Sequence, residues 1–128
     1  MRDKNLNITN TVKTRLPKLP YTEMKEAVLG KKYELSVIIV NKNKIKKLNR
    51  KYRDIDKATD ILSFPLSENF GEMYINLDMT KSEAKKIDRT YENFLAFLFI
   101  HGLTHLKGFD HGSTMESIEA RFRKKFGI

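Results

Sequence analysis

All three histidines of the chain fall in the segment HGLTHLKGFDH, residues 101–111. His101 and His105 are four apart, so on a helix they stand one above the other on the same face. Gly108 sits where such a helix would stop, and it permits the backbone reversal that carries His111 back toward the same point. Three neutral imidazole nitrogens at about 2.0–2.1 Å, with a fourth position open, describe a catalytic zinc site rather than a closed structural one. The chain has no Cys, which removes thiolate ligands, disulfides and a Cys nucleophile together. A lone histidine on a core helix is more often a packing residue. Three at this spacing are far more specific, and one zinc ion held by His101, His105 and His111 is the expectation. Asp110, directly before the third ligand, can orient an imidazole through its free N–H or simply cap the loop.

The spacing also matches the metzincin protease pattern H-E-x-x-H-x-x-G-x-x-H. The general-base glutamate of that pattern is here Gly102. Without a carboxylate beside the metal site, peptide hydrolysis lacks its proton acceptor. A metalloprotease is therefore the weaker reading.

A chain of 128 residues and 15.0 kDa fits one domain, residues 1–128. Residues 91–107 (YENFLAFLFIHGLTHLK) are apolar almost all the way round, the mark of a helix buried in the core. The run ELSVIIV at 34–40 is β-branched and apolar on both faces, as a central strand requires. Further strands are expected at 5–12, at 60–66 with Pro65 either stopping it or confining it to an edge, and at 72–77 after a turn at 69–71. Helices are expected at 21–30, 41–54 and through KSEAKKI, the last capped by Asp78 or Thr80. A final helix begins with the Ser113 to Glu116 capping pattern and carries the apolar stripe Met115, Ile118, Phe122 and Phe126. The fold class is α+β: a small mixed sheet of about four strands with about five helices, and the histidine motif on the central buried helix and the turn after it.

The net charge is +9, and residues 1–58 alone carry +10. Seven cations (Lys42, Lys44, Lys46, Lys47, Arg50, Lys51, Arg53) fall in residues 41–53 with no acid among them. Ile45, Leu48 and Tyr52 give that helix a single apolar stripe. Such a face is either a solvated surface or the track of a polyanion, and nucleic acid is the commonest polyanionic partner at this size. The N-terminus lacks an apolar h-region, and the longest apolar run, FLAFLFI, is far short of the roughly 20 residues that span a bilayer. A soluble, cytoplasmic protein with no membrane partner is expected.

HGLTHLKGFDH also fits, at every fixed position, the motif H-G-x-x-H-L-x-G-[YF]-D-H of the YbeY family of bacterial endoribonucleases, and the chain resembles that family upstream as well. ELSVIIV, LNRKYRDIDKATDILSFP, EMYINL and FLAFLFIHGLTHL follow in the family's order, over about residues 33–128. Gly71-Glu72 and Asn76 stand where Gly-Asp and Ser are usual. The resemblance implies a single-strand-specific, metal-dependent endoribonuclease. Its implied work is ribosomal RNA processing, notably at the 3′ end of small-subunit RNA, and ribosome quality control, with ribosomal RNA and ribosomal subunits as partners. Zinc on His101, His105 and His111 is the implied metal, and Arg53 corresponds to the family's functionally important arginine. A planar guanidinium that grips two oxygens suits the charge that builds up on a phosphodiester during cleavage. Asp60, Asp110 and the RNA's own 2′-hydroxyl are open choices for the base, and Phe64 or Phe109 can stack a base or pack the core. The competing reading is a zinc-stabilised RNA- or ribosome-binding module with no nuclease activity of its own.

Overall fold

A computed structural model of the chain describes residues 2–3, 5–108 and 113–128, the side chains of 2, 3 and 113 excepted. Phe109, Asp110 and His111 lie outside the described residues. The elements run β1 (Arg2–Asp3), β2 (Leu6–Asn10), α1 (Tyr21–Leu29), β3 (Glu34–Ile39), α2 (Lys42–Arg53), β4 (Ile61–Ser67), β5 (Phe70–Ile75), α3 (Leu77–Lys86), α4 (Tyr91–Leu106) and α5 (Ser113–Lys125). The class is α+β, with β2 to β5 in the places expected and β1 added as a two-residue edge.

The sheet order is β1-β2-β3-β5-β4. β3 pairs in parallel with both β2 and β5, while β1 and β4 pair antiparallel at the two edges. Alternation sorts the side chains into two faces. Leu35, Val37 and Ile39 of β3, with Met73 and Ile75 of β5, join Leu6 and Ile8 in the main core, where α1 and α4 cover them. The opposite face carries a smaller cluster in which Ile45 of α2 meets Val40 and Leu62, with Ile38, Phe64 and Tyr74 packed against it. The central strand is therefore fully buried on one face only: its other face carries exposed Glu34 and half-buried Ser36 and Ile38, because α2 covers that side of the sheet only in part.

α4 is the core helix. Leu95, Phe99, Ile100 and Leu103 are completely shielded from solvent, each contributing about 1.5–3 kcal/mol relative to an exposed side chain. Thr90 caps its start by accepting from the Asn93 amide at 3.1 Å. Gly108 follows its end with φ +102°, a conformation that favours glycine.

Three local expectations are corrected. Tyr52 does not complete the buried stripe of α2. It is 56% exposed, and the buried place is taken by Asn49, whose side-chain amide donates to the Lys57 carbonyl at 3.0 Å. α3 begins at Leu77, earlier than either expected cap, because Leu77 is itself a core residue and Asn76 caps the helix by accepting from the Met79 amide. The β4–β5 turn falls on Glu68 and Asn69, so Phe70 and Gly71 already belong to β5.

Candidate active site

Between positions 94 and 106 of α4 only Phe97, His101 and His105 are not fully buried, and their spacing of four puts them on one stripe. That stripe forms the floor of a cleft of about 870 Å³. The cleft runs beside the free edge of β4, whose Ile61, Leu62 and Ser63 line it together with Thr59 and Asp60. Arg53 from α2 and Met115, Glu116, Glu119 and Arg123 from α5 complete its walls.

The two described histidines are brought together. Nε2 of His101 and Nε2 of His105 lie 3.2 Å apart, with the rings near perpendicular at 85°. Two nitrogens bound to one tetrahedral ion at 2.0–2.1 Å are separated by about 3.3 Å, so this pair fits a shared metal. Among the described residues no group of three or more His, Asp or Glu is assembled to hold an ion. The expected third ligand, His111, and the expected orienting carboxylate, Asp110, lie outside those residues.

A carboxylate does orient the ligand pair, from a residue the histidine motif does not contain. Glu119 of α5 is buried to 6% exposure, and its Oε1 lies 2.6 Å from His101 Nδ1. Thr104 Oγ1 shares its one proton between the His101 carbonyl at 2.8 Å and the same Glu119 oxygen at 3.1 Å. With the Nδ1 proton directed at Glu119, the His101 Nε2 lone pair is turned toward His105 and the cleft, the usual device for fixing a metal-binding tautomer. The sequence held a signal for this residue. Met115, Glu119, Phe122 and Phe126 are spaced 4, 3 and 4, so a carboxylate interrupts the inner face of α5.

Gly102 has a steric reason. A Cβ there would lie 2.7 Å from Met73 Cε, 2.9 Å from Ile61 Cδ1 and 2.9 Å from Ser63 Oγ. α4 therefore packs closely on β4 and β5 at this position, and a glutamate in the metzincin position would have to push the Met73, Ile61 and Ser63 side chains aside. Ser63 Oγ, buried beside it, has no hydrogen-bond partner among the described residues.

Arg53 joins the same cleft from the last turn of α2. Its Nη2 donates to the Ser63 carbonyl at 2.7 Å, and its guanidinium lies 5.0 Å from the centre of the Phe64 ring. Phe64 thus supports the arginine and also packs edge-on against Tyr52 and Tyr74. Asp60 lines the cleft nearby, and its carboxyl is held above the ordinary value of 3.8, first by burial and then by the neighbouring Glu83 charge.

Sequence comparison gives the class first: the chain matches, over residues 1–126, the model of a nuclease family described as Endoribonuclease YbeY. The chain belongs to that family. A protein of Oenococcus oeni named Endoribonuclease YbeY is 35% identical over 105 residues, covering 73% of this chain and 69% of its own length. One of the same name from Thermosipho melanesiensis is 34% identical over 106 residues, covering 77% of each chain. The solution structure of TM1509 from Thermotoga maritima has the same fold, with a TM-score of 0.64 at 26% identity, covering 94% of this chain and 88% of that one. No helix among the described residues is long and apolar enough to cross a membrane.

Proposed function

We propose that this chain is a cytoplasmic, zinc-dependent endoribonuclease that cuts single-stranded RNA. Its proposed role is ribosomal RNA processing, at the 3′ end of small-subunit RNA, and ribosome quality control. The observation that carries the reading is the convergence of His101 Nε2 and His105 Nε2, braced by Glu119, in a cleft that also holds Arg53. Family membership supports the RNA substrate. The ribosomal assignment rests on the family resemblance and suits the strongly basic first half of the chain.

His101 and His105, with His111 as the third ligand, would hold the zinc ion, which when bound supplies Lewis acidity at neutral pH. The remaining work falls to the chain itself. Glu119 and Thr104 keep the His101 ring from turning. The Ser63 carbonyl uses one donor of Arg53 and fixes the plane of its guanidinium, leaving other N–H groups for the non-bridging oxygens of a phosphodiester. Held in place before the reaction, such donors stabilise charge that develops on those oxygens. Asp60, with its raised carboxyl, is the acid–base candidate among the described groups of the cleft. The cations of α2 are all exposed, and no carboxylate pairs with any of them among the described residues. They suit a single strand's backbone without reading its sequence.

The test is cleavage of an end-labelled single-stranded RNA by the purified chain and by His105→Ala. Cleavage by the unaltered protein and a loss of at least about 100-fold in the variant are expected, the scale of losing a preorganised catalytic group. Equal cleavage by both proteins would overturn the reading. RNA bound but left uncut by the unaltered protein would assign it to the binding-module class instead.

A further inference from the structure

We infer that Arg123 forms a second phosphate subsite in the cleft, binding the RNA backbone next to the phosphodiester held by Arg53; the inference rests on the nuclease reading above. Arg123 lies on α5, one turn beyond Glu119, and lines the same cleft as the histidine pair and Arg53.

The two arginines are mounted alike. Arg53 lies 5.0 Å from the Phe64 ring centre, and Arg123 lies 4.9 Å from that of Phe97, the cleft-facing residue one turn before His101. A guanidinium laid on an aromatic ring is held by cation–π attraction while its in-plane N–H groups stay available. They differ in what those groups already bind. Arg53 gives one donor to Ser63. Arg123 Nε is shielded from solvent and has no hydrogen-bond partner among the described residues, where no carboxylate lies within ion-pair distance of Arg123. Glu119, the natural i−4 partner, is engaged with His101 and Thr104. Arg89, which shares the Phe97 ring from 4.9 Å, is tied to Asn93 Oδ1. A shielded donor left unmet is costly, while the terminal N–H groups of the same half-buried guanidinium, paired with no carboxylate among the described residues, are the donors an anionic oxygen entering the cleft would meet. Arg53 of α2 and Arg123 of α5 present two guanidiniums from different walls of one cleft, which suits a chain of repeated phosphates better than a single anion.

The experiment measures binding of a fluorescein-labelled 2′-O-methyl oligouridylate, checked on a gel to be intact after incubation, to the full chain over a range of salt concentrations. Arg123→Met is expected to raise Kd about tenfold or more, as loss of a charge-assisted hydrogen bond does. The slope of log K against log salt should fall by about 0.7, the value for one phosphate on a single strand. On a cleavable RNA the same variant should raise KM with kcat changed less than about threefold, the pattern of a binding residue. Arg123→Lys should restore the slope and part of the affinity, and Arg123→Gln carries the same test should the methionine variant not fold. Unchanged Kd and slope in a folded variant, with binding by the unaltered protein intact, overturn this subsite alone. An unaltered protein that binds no RNA overturns the nuclease reading and the subsite with it.

Discussion

The α4–α5 corner and the α2 helix both border the cleft, and they are built on opposite principles. In the corner, His101 and Thr104 of α4 and Glu119 of α5 are held by short, directed hydrogen bonds at the edge of a helix most of whose residues are in the core. On α2 the charges stand in solvent at the end of long stems, with no carboxylate fixing them among the described residues. Position matters in the first region and only total charge in the second. Arg53 is where the two meet: it belongs to the exposed basic helix, yet its guanidinium donates to the Ser63 carbonyl and lies against the Phe64 ring.

That contrast can be broken by substitution, and the largest effect is expected at its meeting point. Arg53→Ala should lower kcat/KM for single-stranded RNA by about 100-fold, and Arg53→Lys should recover little, because a point charge lacks the planar fork. A lysine variant with near-normal rates would return Arg53 to the class of generic cations. Next comes Glu119→Gln, which keeps the size of the side chain and removes its charge. Competition with a chelator should show metal affinity reduced by about 10- to 100-fold, the usual cost of losing a ligand's orienting carboxylate.

Smaller effects are expected on the basic face. The double change Lys46→Gln/Lys47→Gln should reduce the salt slope of RNA binding by up to about 1.4, or about 0.7 for each phosphate no longer neutralised, and leave kcat and thermal stability near the unaltered values. A large fall in kcat would mean that these lysines are positioned rather than merely charged. The smallest effect is one of stability. Burial raises the Asp60 carboxyl above 3.8, so the folded state holds that proton to higher pH than the unfolded state. Stability therefore falls as pH climbs from the ordinary value through the raised one, and stays lower above it. Asp60→Asn should raise Tm at pH 7, with the gain vanishing near pH 3. A variant melting lower at pH 7 would show that the carboxylate's hydrogen bonds outweigh its burial.

The same division explains what could be read from the residues alone. Periodicity located α4, β3 and the histidine stripe, because a helix or strand dictates which neighbours share a face whatever surrounds it. Pro65 left β4 either stopped there or confined to an edge, since proline cannot serve a strand paired on both sides; β4 runs through it to Ser67 as an edge strand. Glu119 escaped because its role depends on a contact between α5 and α4 at a separation of 18 residues; its place on the inner face of α5 was visible, its partner was not. Asn49 took the buried place expected of Tyr52 for a similar reason. The Lys57 carbonyl offered Asn49 a partner inside, and Phe64 gave Tyr52 one at the surface. The cap of α3 moved to Asn76 because burial of Leu77 outweighed the capping preference of Asp78.

The central claim is that the histidine pair, with His111, binds the ion on which RNA cleavage depends. The most direct measurement is the metal content of the purified full chain set against its cleavage of labelled single-stranded RNA, before chelation, after chelation and after zinc is restored. The account predicts about one zinc per chain, cleavage lost with the metal and recovered with it. Cleavage that continues undiminished in protein verified to be metal-free would contradict it.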